Sequence, residues 1–230
     1  GSFIKPSGSI SASTFLLSGT VSMPLVRGRV SLIGSLRTSP LGPEFRAIQS
    51  VVGGALDSLS RPRAAVCDGF AKVKWLMDPD NSLSFSVFGS QDAYSYRYGG
   101  DSDESLGWNN LIANVRHEGT IGVGWSVEDG VAYNRFYSQQ GIIRDLSGTL
   151  NNIAIVNSLN ELTADAVFSR FVSGACSIRF GMKERFAWFN PGTSSTFKGD
   201  GLWTPLDSPR TDHISHCSIT TLHGQLDLKA

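Results

Sequence analysis

The feature that most constrains the fold is a strict two-residue alternation of apolar and polar side chains within residues 69–118. Apolar residues occupy every second position in two runs: Ala71, Val73, Trp75 and Met77, then Leu83, Phe85 and Val87. The intervening positions are mostly polar: Lys72 and Lys74, then Ser84 and Ser86. Successive side chains of a β-strand point to opposite faces, whereas a helix repeats every three or four residues. The pattern therefore predicts β-strands with one apolar and one polar face.

The length of the second run separates two kinds of β protein. The turn-forming residues 78–81 join the two runs, and the second continues through several tyrosines to Tyr98. A typical globular strand has roughly five or six residues, and this run is far longer. Long strands joined by tight turns are typical of transmembrane β-barrels, whose spanning strands need about nine to eleven residues. A long hairpin in a soluble β-sandwich is the alternative.

The composition excludes several classes of protein. Charged residues make up 17% of the chain, below the roughly 25% of an average soluble domain. The 20 basic residues balance the 20 acidic ones, so charge gives no argument for nucleic-acid binding. No run of about 18 apolar residues occurs, and no transmembrane helix is predicted. Barrel strands are compatible with this, because alternation disperses their apolar residues.

The connections along the rest of the chain support the barrel. We predict short turns at residues 24–28, 119–124 and 172–175, and long polar segments at 38–66, 139–157 and 190–212. We further predict a helix at 44–59, a strand interruption at 129–130 and a last strand at 213–228. Short turns alternating with long loops are characteristic of outer-membrane barrels. Roughly nine strands are expected, whereas closed bacterial barrels normally have an even number. Either the count is one off or the chain belongs to a larger wall.

This order of residues resembles the early barrel strands of TonB-dependent outer-membrane receptors, in the form common in Bacteroidetes. The resemblance rests on Asp68, Ala71, Lys72, Val73 and Trp75, on Leu83, Ser84, Ser86, Phe88, Asp92 and Tyr94, and on Trp108 and Asn110. Residues 17–24 and 30–37 resemble the family's first strand pair, with Met23 replacing the usual glycine. Residues 178–192 resemble a later strand, so the resemblance covers residues 8–192.

The resemblance implies a function and a set of partners. It implies an outer-membrane receptor of a Gram-negative bacterium that imports a metal chelate, glycan or peptide by binding and gated transport. The implied partners are outer-membrane lipid, TonB, a plug domain, a small nutrient ligand and a surface lipoprotein; no cofactor is implied. A family barrel has about 22 strands and a plug. We therefore expect residues 1–230 to form a single β-barrel domain of about eight to ten strands, without a plug, within a longer receptor. A passive outer-membrane barrel or assembly component, and a soluble β-sandwich binding module, remain alternatives.

Two sets of residues are assigned to the two faces of the barrel wall. Eight are expected to face lipid: Ala71, Val73, Trp75, Leu83, Phe85, Val87, Leu111 and Val115. Six are expected to face the lumen: Lys72, Lys74, Ser84, Ser86, Asn114 and Arg116. The candidate ligand-binding residues are Tyr94, Tyr96, Arg97, Tyr98 and Trp108, because clustered aromatic rings and an arginine stack on sugars, peptides or chelates. An aromatic girdle at the membrane interface is the alternative for these residues.

The other reactive side chains predict neither catalysis nor a metal site. No acid, base and nucleophile can be placed on one face, so an enzyme is not expected. His213 and His216 are three residues apart and would point to opposite faces of a strand, which disfavours a shared ion. Cys67, Cys176 and Cys217 are odd in number and contain no CxxC pair, which favours three unpaired thiols over one disulfide with one free thiol.

Overall fold

The chain folds into one open antiparallel sheet. The computed structural model describes residues 1–39, 63–98, 102–146, 149–174, 176–198 and 214–228, and their regular structure is entirely β-strand. The strands are β1 (Ser7–Ala12), β2 (Leu17–Val26), β3 (Val30–Ser39), β4 (Arg63–Leu76), β5 (Ser82–Tyr98), β6 (Ser102–Ile121), β7 (Trp125–Leu146), β8 (Thr149–Ser173), β9 (Cys176–Lys198) and β10 (Ser215–Leu228). Their order in the chain is their order in the sheet, with β1 and β10 at the edges. None of the described residues belongs to a helix long and apolar enough to cross a membrane.

The register of the strands carries the alternation across the sheet. Val73 lies opposite Phe85, which in turn lies opposite Val115. One position along, Lys72, Ser86 and Asn114 form the neighbouring row. We call the side that bears Val73 the apolar face and the side that bears Lys72 the polar face. All eight residues predicted to face lipid share the apolar face and all six predicted to face the lumen share the polar face, so the predicted separation is confirmed.

The side chains of the apolar face are largely uncovered. Phe85 and Val131 are each 50% exposed and Met182 is 52% exposed. Val127, 4% exposed, is the buried apolar side chain among the described residues. A soluble monomer rarely exposes a contiguous apolar patch larger than a few hundred Å². A β-sandwich would cover this face with a second sheet, and the described residues form a single sheet.

Strands β7, β8 and β9 extend well beyond the lengths predicted from alternation. We predicted polar loops at 139–157 and 190–212, but β7 continues to Leu146, β8 begins at Thr149 and β9 continues to Lys198. The prediction was wrong in these parts because it relied on alternation. The part of a strand that projects beyond an apolar layer needs no apolar face, so its residues need not alternate. Backbone pairing still satisfies its N–H and C=O groups. Residues 147–148 and 199–213 lie outside the described residues.

The connections consequently do not alternate strictly in length. Residues 99–101 separate β5 from β6, and residues 147–148 separate β7 from β8. Paired strands thus replace most of the loop predicted at 139–157. The turns predicted at 24–28, 119–124 and 172–175 are shorter than expected, because β2 runs to Val26, β6 to Ile121 and β8 to Ser173. The last predicted strand is present as β10. The predicted helix at 44–59 lies outside the described residues, and the strand missed by our count of nine is β1, in the serine-rich first segment.

Strand β7 has no interruption at residues 129–130. Gly130 pairs with Arg116, and a Cβ at Gly130 would lie 2.9 Å from the carbonyl oxygen of Val115. Glycine therefore allows β6 and β7 to approach closely at this position. Asp129 pairs with His117, and its Oδ1 lies 2.9 Å from His117 Nδ1. The predicted interruption was wrong because a glycine within a strand indicates close contact as readily as a break.

Asp78 organises the turn between β4 and β5. Its Oδ1 accepts hydrogen bonds from the Asn81 side-chain amide at 2.8 Å and from the Asp80 backbone N–H at 2.9 Å. The Asn81 bond, and then the Asp80 bond, favour the charged carboxylate and lower the pKa of Asp78. Since the folded-state pKa is below the unfolded one, the carboxylate stabilises the fold above the unfolded-state pKa. This stabilisation is lost as pH falls through the lowered pKa.

We expect Asp78→Ala to reduce the thermal stability of the full-length protein at pH 7, and the reduction to shrink below about pH 4. Melting is followed at several pH values by the gel mobility of the folded barrel. Asp80→Ala is the matched control, because Asp80 contributes a backbone N–H that alanine retains. Equal losses in the two variants, or an undiminished loss at low pH, would contradict this role of Asp78.

Candidate ligand-binding site

Two of the predicted ligand-binding residues lie on the polar face, toward the hairpin end of β5 and β6. Tyr94 pairs with Leu106, and Trp108 pairs with Asp92 in the adjacent row. The side chains of Tyr94 and Trp108 are 42% and 37% exposed, although neither belongs to the apolar face. This register therefore places both residues on the face opposite Val73 and Phe85.

The remaining three candidates occupy the end of β5. Tyr96 pairs with Glu104, Arg97 with Asp103 and Tyr98 with Ser102. The acidic residues Asp103 and Glu104 thus belong to the first part of β6. Tyr96 and Tyr98 lie two and four residues beyond Tyr94, at positions that belong to the polar face. Arg97 occupies a position that belongs to the apolar face. The register therefore brings three tyrosine positions and Trp108 to one side of the hairpin and does not bring Arg97 with them.

Sequence reasoning missed an apolar extension of this cluster on the polar face. Phe88 pairs with Ile112, and Leu159 pairs with both Phe136 and Phe189. Each lies on the same face as Trp108. We call the following residues the interior apolar patch: Phe88, Tyr94, Leu106, Trp108, Ile112, Phe136, Leu159 and Phe189. The sequence does indicate this patch: along each long strand, every second residue on the polar face changes from polar to apolar.

Nearer the short turns, the polar face carries charged pairs. Lys74 Nζ lies 2.9 Å from Glu118 Oε2, and Arg116 Nη2 lies 2.9 Å from Glu128 Oε2. Arg185 Nε lies 3.4 Å from Glu161 Oε2. These side chains are partly exposed, so each pair contributes little to stability. Together they form a polar, charge-balanced lining between the turns and the interior apolar patch.

A separate cluster of aromatic rings occupies the apolar face. The rings of Tyr133 and Trp188 have centroids 6.4 Å apart, and Phe186 lies 5.6 Å from Trp188. Tyr133 also donates a hydrogen bond from Oη to Asn160 Oδ1 at 2.8 Å. An apolar ring with a satisfied polar group suits a membrane interface. Tyr133 could have been assigned to the apolar face from the sequence, because it lies two residues from Val131 on the same strand.

The described residues contain no group of three or more potential metal ligands from histidine, cysteine, aspartate and glutamate. His213 lies outside the described residues. His216 belongs to the apolar face, where it stacks against Phe186 with centroids 5.9 Å apart. Cys67, Cys176 and Cys217 are all unpaired, as the residue pattern favoured.

Comparison with known proteins identifies the fold. No protein-family model matches the chain, and no curated protein matches it. Among solved structures, the ferric yersiniabactin uptake receptor FyuA from Yersinia pestis matches with a TM-score of 0.52 and 10% identity. The fold is that of an outer-membrane β-barrel wall. The match covers 92% of this chain but 34% of the receptor, and at this identity it establishes the fold alone. In such a wall the apolar face contacts lipid and the polar face lines the interior.

Proposed function

We propose that this chain forms part of the barrel wall of a TonB-dependent receptor that imports a nutrient across the outer membrane. The observation that carries the proposal is the two-faced sheet of long strands, whose fold is like that of an uptake receptor. Because the described sheet is open, its edge strands need further strands to satisfy their backbone groups in lipid. In a larger barrel, further strands would pair with both edges of this sheet, and a plug would fill the interior.

The interior apolar patch is the proposed ligand contact. Its aromatic rings offer flat, partly exposed faces that bind sugars, peptides or metal chelates by stacking. Tyr94 and Trp108 belong to this patch, and Tyr96, Arg97 and Tyr98 are proposed as neighbouring contacts. The ligand-binding step makes and breaks no covalent bond.

The charged pairs of the polar face are proposed to face the plug. They lie closer to the short turns, and pairs such as Lys74 with Glu118 leave hydrogen-bonding capacity for a polar partner. Binding at the apolar patch would then be coupled to rearrangement of the plug by TonB. From the sequence resemblance alone, we also propose that the receptor is of the form common in Bacteroidetes and that it has a surface lipoprotein partner.

Uptake by cells that produce the full-length protein tests this function. Labelled metal chelates, glycans and peptides are supplied in separate arms, with and without TonB. We expect saturable accumulation of one class that disappears without TonB. Uptake that persists without TonB would assign the protein to passive barrels, and the absence of uptake of every class would favour an assembly component.

A further inference from the structure

Arg170 is a charged residue on the apolar face. It lies on β8 between Trp125 of β7 and Ile178 of β9. The guanidinium carbon lies 5.5 Å from the ring centroid of Trp125. Trp125 meets Phe180 edge-on at 5.7 Å, and Phe180 stacks on Phe168 at 5.4 Å. A charged group is thus held against an aromatic cluster on the side of the wall that contacts lipid.

The charge of Arg170 is not balanced by a carboxylate. No aspartate or glutamate of the described part of the chain forms an ion pair with it within 4.0 Å, whereas Arg116 and Arg185 on the polar face both have such partners. A cation–π contact orients a guanidinium but leaves its N–H donors available. Arg170 can therefore offer several donors to an anion outside the protein, and planar donors of this kind suit phosphate oxygens.

The position of Arg170 along its strand indicates where that anion would lie. Arg170 lies close to the turn at 122–124 and to Gly174, and a Cβ at Gly124 would lie 4.0 Å from Arg170 Nε. In a barrel, the apolar layer ends near such turns, and tryptophan marks the interface with the headgroups. The long arginine side chain can reach from the apolar layer into the headgroup layer.

Gly224 leaves a gap between the side chains of the same face, two strands from Arg170, and we call this gap the groove. Gly224 of β10 pairs with Phe180, and a Cβ at Gly224 would meet no atom within 4 Å. Leu222 and Leu226 border this gap and are 74% and 59% exposed. The groove offers apolar walls of a kind that suits an acyl chain, and Ile178 connects it to Arg170.

We propose that Arg170 and Trp125 bind the phosphate of an anionic phospholipid in the leaflet at the short-turn end, with an acyl chain lying along Gly224. The proposal rests on the membrane placement in the proposed function. Charge complementarity selects the occupant, since one uncompensated cation beside an apolar groove matches a molecule with a negative headgroup and a hydrocarbon tail. One basic side chain near an anionic surface contributes about a fivefold change in lipid affinity.

Native mass spectrometry of the delipidated full-length protein in detergent tests this site. Dioleoyl phosphatidylglycerol and dioleoyl phosphatidylcholine are titrated separately, and inorganic phosphate is added as a competitor. We expect preferential binding of phosphatidylglycerol that weakens about fivefold in Arg170→Ala, is largely retained in Arg170→Lys and is not displaced by phosphate. Gly224→Leu should also weaken binding, because its side chain fills the groove.

Arg179→Ala is the matched control. Arg179 lies one position beyond Ile178 on β9 and belongs to the polar face, so the same charge is removed at the same end of the wall. An equal loss in the Arg170 and Arg179 variants, no preference for phosphatidylglycerol, or displacement by phosphate would overturn the lipid site. The uptake assay is independent of this result: intact TonB-dependent uptake with no lipid preference would reject the lipid site alone. A protein that does not insert into membranes would instead reject the proposed function.

Discussion

Ala71→Arg is expected to lower the free energy of unfolding of the full-length barrel in lipid by about 2–4 kcal/mol, the cost of a basic side chain near the bilayer midplane. Ala71 lies on the apolar face between Gly34 and Val87. It is five residues from Leu76, the last residue of β4, which places it near the middle of a span of about nine to eleven residues. Urea unfolding in vesicles, followed by gel mobility, measures the change.

Ala132→Arg is the matched control for this prediction. Ala132 lies on the polar face between Asn114 and Thr163. The same substitution there adds a charge to an already polar lining, so we expect a change well below that of Ala71→Arg. Similar losses in both variants would show that the two faces do not meet lipid and lumen, and would reject the transmembrane wall. A larger loss in Ala132→Arg would reverse the assignment of the faces.

Trp108→Ala and Tyr94→Ala are each expected to weaken binding of the transported ligand by about 1–3 kcal/mol, the scale of aromatic anchors in other interfaces. Both rings are partly exposed on the polar face, on the paired strands β5 and β6. Their removal takes away stacking surface without opening a packed core. Calorimetry with the purified full-length protein and the ligand class identified by uptake gives the affinity.

Trp75→Ala is the control for the loss of a large ring. Trp75 is 46% exposed on the apolar face, opposite Leu83. It cannot contact a ligand inside the barrel, so its substitution should leave affinity unchanged. If Trp108→Ala and Tyr94→Ala also leave affinity unchanged while the barrel remains folded, the interior apolar patch is not the ligand contact at these residues.

The sequence by itself determined the class of element and the sorting of its side chains. Alternation is a local property, because backbone geometry turns Val73 and Lys74 to opposite sides whatever the strand pairs with. The assignment of Val73, Phe85 and Val115 to one face could therefore be predicted before any pairing was known. The turns at 78–81 and within 119–124 were predicted for the same reason, since their residues favour turns through local chemistry.

Tertiary structure decided what depends on pairing between strands. Polar segments such as those ending β7 at Leu146 and β9 at Lys198 carry no alternation, and only backbone pairing with a neighbour makes them strand. Gly130 could be identified as a close contact, and not a break, only once Val115 lay opposite it. Register likewise placed Trp108 beside Asp92 on the polar face and brought Tyr133 and Trp188 together on the apolar face. Sequence spacing cannot supply that register, because it is set by hydrogen bonds between residues distant in the chain.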